Sequence, residues 1–176
     1  MSFGVPLLLC AGTGLFGLAL EGDIDLVAEE VVAAPPEAVF ALLDDAEGIA
    51  RWWGLAMAEA GPAGAPPMTI AAQEGAPSEG VGAKVDFVAG GRTAETWTLL
   101  ALEPPTRAVY DVDFKIMRVE RTLTLTSEAG GTRIRWNETG HIGNPWLRLM
   151  SIGGHEEVVA NFHEAMQALG RAASQP

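Results

Sequence analysis

Between residues 68 and 139 the chain alternates apolar and polar positions, and the breaks between its runs are too short to hold a helix. The spacing predicts strands at 68–73, 83–88, 93–102, 107–114, 116–126 and 132–139. Turn-forming residues separate them, among them Gly90-Gly91, Pro104-Pro105 and Gly130-Gly131. Parallel neighbours need crossover connections of a dozen or more residues, so strands this close pair antiparallel, as a meander. A further strand is expected upstream at 24–33, a Val- and Ile-rich run.

Between that strand and the meander the period is helical. Pro35-Pro36-Glu37 suits a first helical turn, and Val39, Phe40, Leu42 and Leu43 supply an apolar face. Asp44-Asp45 interrupts, and a second short helix is expected over 46–53, stopping at Gly54. Residues 58–67 read as a loop. After Asn144-Pro145 and a short apolar segment at 146–152, Val159, Phe162, Met166 and Leu169 recur at three- and four-residue spacing. They predict an amphipathic C-terminal helix of about 15–18 residues. A curved antiparallel sheet needs cover on its apolar face, and that helix is the large element available. A cavity is expected wherever the side chains of sheet and helix are too sparse to meet.

The N-terminus differs from the rest. Residues 3–20 (FGVPLLLCAGTGLFGLAL) carry no charge and as a helix would span about 27 Å, close to the roughly 30 Å hydrocarbon core. A single membrane span or uncleaved anchor leads, with a cleaved signal, a lipoprotein site at Cys10 and a soluble apolar arm as alternatives. Orientation is undetermined, because the nearest basic residue is Arg51. The division expected is 1–22 as hydrophobic segment and 23–173 as folded domain. The expected location is a membrane-anchored one, with cytoplasmic or secreted alternatives. Gly12-Thr13-Gly14-Leu15-Phe16-Gly17 fits a dinucleotide fingerprint, but too few residues follow for the helix that motif must open.

Composition narrows the function. A chain of 176 residues suits one domain, and a single cysteine leaves no disulfide framework and no Cys-based zinc cage. Eleven Lys+Arg against 23 Asp+Glu, a net charge of −12, would repel nucleic acid. His155-Glu156 begins a zincin motif that Val159 ends, so neither a metal nor another cofactor is expected.

This order of elements, with VVAAPPEAVFALLDDAEGIARWWG at 31–54, resembles the START/Bet v 1-like (SRPBCC, polyketide cyclase/dehydrase-type) helix-grip superfamily. The matching pieces are the apolar strand before Pro35-Pro36-Glu37, the Val39-Phe40 pair, Trp52-Trp53 and the C-terminal apolar helix, over about residues 24–171. The resemblance implies an α+β fold in which a curved antiparallel sheet of about seven strands wraps a long C-terminal helix. Two short helices follow strand 1. Some bacterial members look similar in carrying an N-terminal span. The superfamily hosts unrelated functions, so the resemblance implies a fold more than an activity.

Alternation selects the inward side chains. They are Phe87; Glu95 and Trp97; Tyr110 and Val112; Val119 and Arg121; Trp136 and Glu138. These nine are the expected ligand contacts. The leading function is binding or transport of a hydrophobic small molecule, neutral or cationic rather than anionic, without catalysis. A second is a cyclase or dehydratase in which Tyr110 or His141 moves protons and Arg121 stabilises an enolate. A third is an Hsp90-activator-like interaction module, which predicts a filled core. Trp52-Trp53 either gates the cavity or caps the core.

Overall fold

The computed structural model describes residues 22–60, 68–150 and 154–175. Within them the short separators do what their chemistry allows. Gly90 and Gly91 adopt φ of 57° and 75°, the left-handed pair that a two-residue hairpin turn demands. The elements are β1 (Asp23–Val32), α1 (Pro36–Phe40), α2 (Ala46–Ala60), β2 (Met68–Ala72), β3 (Lys84–Ala89), β4 (Arg92–Glu103), β5 (Arg107–Asp113), β6 (Arg118–Glu128), β7 (Gly131–His141), α3 (Pro145–Met150) and α4 (His155–Ala173).

The seven strands form one antiparallel sheet in the order β1-β7-β6-β5-β4-β3-β2. The meander runs unbroken from β2 to β7, and β1 closes it by pairing with β7, from Asp23 opposite His141 to Val32 opposite Thr132. Two irregularities bend β4. Ala94 has no partner between Thr93↔Val88 and Glu95↔Phe87, and Leu100 none between Leu99↔Tyr110 and Ala101↔Val109. An extra residue in one strand increases local twist and re-aims side chains. Here the two bulges bracket 95–99, the stretch that turns Glu95, Trp97 and Leu99 inward.

Helix α2 runs past Gly54 to Ala60, where a stop at Gly54 was expected. An isolated glycine costs a helix only about 1 kcal/mol, and buried Trp52 and Ala56 on either side outweigh that. Asp45 does not merely interrupt the chain. Its Oδ1 accepts the Gly48 N–H at 2.6 Å, which caps the start of α2. The Trp52 indole N–H donates to the Leu42 carbonyl at 3.1 Å and ties α2 to the turn before it.

Helix α4 covers the concave face of the sheet through Phe162, Ala165, Met166, Leu169 and Ala172. The expected membrane anchoring is corrected here. Among the described residues no helix is long and apolar enough to cross a membrane. The longest, α4, exposes Glu156, Glu157 and Arg171 to water. The apolar segment at 3–20 and most of the loop expected at 58–67 lie outside the described residues; Ala58–Ala60 belong to α2.

Candidate functional site

The space between sheet and helix is filled at one end and open at the other. Trp52 from α2, Trp97 from β4, Tyr110 from β5 and Trp136 from β7 are all buried and pack together, with Trp52 6.1 Å from Trp97 and 6.2 Å from Trp136 between ring centroids. Phe87 packs on Trp97 at 4.7 Å. Beyond this aromatic block, a cavity of about 520 Å³ opens between the second half of α2 and the first half of α4. Ile24 and Leu26 of β1, Phe114 and Met117 beside the β5–β6 turn, and Phe162 of α4 form its apolar walls. Trp53 and Met57 contribute from α2, and small residues (Ala56, Ala165 and Gly154) keep the helices from filling it.

Of the nine expected contacts, Glu95, Val119, Arg121 and Glu138 border this cavity. Phe87, Trp97, Tyr110, Val112 and Trp136 point inward as expected, but none of them borders it. Their bulk, converging from four strands, fills that end of the interior. Trp52 and Trp53 divide the two roles expected of them: Trp52 is core, and Trp53 lines the cavity.

Three polar side chains converge on the inner wall. Arg121 is 3% exposed and Glu138 5%. Glu138 Oε1 accepts from Arg121 Nε at 2.5 Å and from the Trp136 indole N–H at 3.2 Å, and Arg121 Nη2 lies 2.5 Å from the same oxygen. The guanidinium carbon sits 4.1 Å from the Trp97 ring centroid, 4.7 Å from Trp136 and 5.8 Å from Trp53. A desolvated cation over an indole face gains about 2 kcal/mol, so three rings and one carboxylate replace its lost water. Only Nη1 has no hydrogen-bond partner, and it is itself buried.

Glu95 is the third group, 8% exposed. Burial pushes its carboxyl above the usual carboxylate range; Arg121 and the Trp97 indole N–H pull it back, and Glu138 adds to the rise. That indole N–H lies near the carboxyl without reaching hydrogen-bond geometry.

The proposed acid–base candidates fare differently. The Tyr110 hydroxyl donates to the Leu43 carbonyl, and burial raises its pKa far above the normal phenol value. His141 faces solvent with Nδ1 2.7 Å from Asp23 Oδ1 and does not border the cavity. Arg121 alone of the three reaches it. Ile24 and Leu26 lie two apart on β1, an alternation that could have placed them inward, whereas Ala56 and Ala165 lie on helices and had no such signal, since their role depends on how elements from distant parts of the chain meet. No group of three or more His, Cys, Asp or Glu able to hold a metal occurs among the described residues.

An antiparallel sheet gripping one long helix, with a lined cavity between them, defines a helix-grip protein of the Bet v 1-like kind. The family model described as "Polyketide cyclase / dehydrase and lipid transport" matches residues 23–173, and the chain belongs to that family. No curated protein matches the sequence. Among solved structures, protein CV1439 from Chromobacterium violaceum is 20% identical, with a TM-score of 0.60 over 86% of this chain and 98% of that one. Protein SA2116 from Staphylococcus aureus, described as of unknown function, is 13% identical with a TM-score of 0.63, over 87% and 94%. The di-domain ARO/CYC StfQ from the steffimycin biosynthetic pathway is 14% identical with a TM-score of 0.60; the match covers 86% of this chain and 51% of that one. At these identities the likeness is one of fold.

Proposed function

We propose that residues 23–173 form a binding domain for a hydrophobic small molecule, held in the cavity beneath the first half of α4. The carrying observation is the cavity itself: about 520 Å³, with apolar walls and a few convergent polar groups on one side. Sites for drug-sized ligands share that volume and that lining pattern. The family description, which includes lipid transport, supports the same reading. Mass spectrometry of organic extracts from protein purified out of several hosts tests it. A recurring lipophile is expected, released when the protein unfolds; extracts empty in every host would overturn the reading.

A second reading, a cyclase or dehydratase acting in the same cavity, is favoured by Arg121 on its wall and by the family's description. In that case Arg121 would steady a developing enolate, and Tyr110 and His141 would take no part. Loss of one water mass from an aromatic polyketide-like compound, abolished in Arg121→Met, is the expected result. The interaction-module reading predicts a filled core, and a cavity of this size argues against it.

A further inference from the structure

The charges on the cavity wall do not balance. Among the described residues bordering the cavity only Arg121 carries a fixed positive charge, with His155 at the exposed start of α4, against the carboxyls of Glu95, Glu138 and, at the solvent edge, Glu164. Arg121 is already committed. Two of its nitrogens face Glu138 Oε1, its third is buried without exposure, and indoles lie against its carbon. Its Nη1 alone is unpartnered, and its charge is already offset by Glu138, which leaves Glu95 as the uncompensated charge of the inner wall. Lys115 does not compensate, because its Nζ is 3.1 Å from Thr96 Oγ1, and that hydroxyl donates to Asp86 across the opposite face of the sheet. Glu95 therefore borders an apolar void with no salt bridge among the described residues; the Trp97 indole N–H and the charge of Arg121 favour its carboxylate from nearby, and neither supplies a paired cation. A buried carboxyl without a partner is costly, so such a group persists where something else completes it.

We infer that Glu95 is the recognition group of the cavity, and that the cavity takes an apolar molecule bearing one protonated amine while discriminating against carboxylates. The inference rests on the cavity's role as a ligand site and adds the class of ligand. An ammonium at Glu95 would bring the inner wall to two positive and two negative charges. It would also share the cavity with Phe114, Phe162 and Trp53, aromatic rings of a kind that attract cations. A carboxylate in the same place would add a third negative charge in a low dielectric.

The test uses one apolar body with three heads: dodecylamine, dodecanol and dodecanoate, each below its micelle concentration at neutral pH, titrated calorimetrically into the full chain and into Glu95→Gln. Dodecylamine is expected to bind at least about tenfold tighter than dodecanol, as a charge-assisted buried contact implies, with dodecanoate weakest. In Glu95→Gln the amine is expected to lose its advantage over the alcohol when the two are compared on that same variant. An amine no tighter than the alcohol, or an advantage unchanged in Glu95→Gln, overturns the inference and leaves the cavity's role intact. The unchanged case would mean attraction to the acidic exterior. Failure of all three probes to bind overturns both.

Discussion

A guanidinium beneath a β-sheet is tolerable only if its surroundings replace water atom by atom, and Arg121 shows how narrowly that is met. Removing it would strand Glu138, whose Oε1 would keep only the Trp136 indole N–H. Breaking one partner of a buried pair costs about 3–5 kcal/mol, whereas replacing both with apolar groups of like volume is often neutral. Arg121→Met is therefore expected to lose about 3–5 kcal/mol in urea unfolding, and Arg121→Met combined with Glu138→Leu to recover most of it. Equal losses in single and double variants would show that the indole cage, not the ion pair, holds the guanidinium. Glu95 makes a different residue-scale prediction, through pH. Its folded pKa lies above the ordinary 4.5, so the folded chain keeps its proton to higher pH than the unfolded chain does. Stability is thus lost as pH rises from about that value through the folded pKa. Glu95→Gln, neutral throughout, should be more stable than the parent near pH 7 and should lose that advantage toward pH 4. Parallel stability curves across that range would show that Glu95 titrates normally.

At the scale of elements, the sheet could be read from the chain because each strand's alternation is local. Val119, Arg121, Leu123 and Leu125 are all buried, as are Ile134, Trp136 and Glu138 on the neighbouring strand. One register, Arg121 opposite Glu138 and Leu123 opposite Trp136, keeps both sets on one face. The position of the cavity was not readable in that way. It depends on Trp52, Trp97 and Trp136 from three elements meeting at one end while Ala56 and Ala165, from two different helices, border the open space at the other. Packing between elements also sets requirements that local propensity contradicts. Gly170 lies inside α4, where alanine is the better helix former by about 1 kcal/mol. Yet a Cβ there would come within 2.5 Å of Val32 Cβ and 2.6 Å of its Cγ1. Gly170→Ala is accordingly expected to destabilise by about 1–3 kcal/mol, as overpacked cores do. Adding Val32→Ala removes the Cγ contacts but keeps the 2.5 Å approach to Cβ, so it should relieve only part of that loss, whereas Val32→Gly removes the contact itself; thermal unfolding midpoints of the variants read the difference. A stabilised single variant would mean that α4 can move away from β1 at no cost.

For the molecule as a whole, keeping one end of the interior empty and the other filled sets stability against binding. The same helix face serves both ends: Ala165 borders the cavity, and Ala172, two turns later, is 1% exposed within the packed core. An identical substitution should therefore act oppositely at the two positions. Ala165→Leu adds three carbons where there is space. It should raise stability by about 0.5–2 kcal/mol, as cavity filling commonly does, and weaken dodecanol binding at least about tenfold. Ala172→Leu adds the same carbons where there is none. It should cost about 1–3 kcal/mol and leave dodecanol affinity unchanged. Thermal unfolding and calorimetric titration of the two variants side by side separate the outcomes. If both destabilise equally, the gap between α2 and α4 closes in solution. If Ala165→Leu stabilises without weakening the probe, the ligand sits elsewhere. The crossed result ties ligand affinity to the void that sheet and helix leave open, because only a space-filling change at the open end would then exchange one for the other.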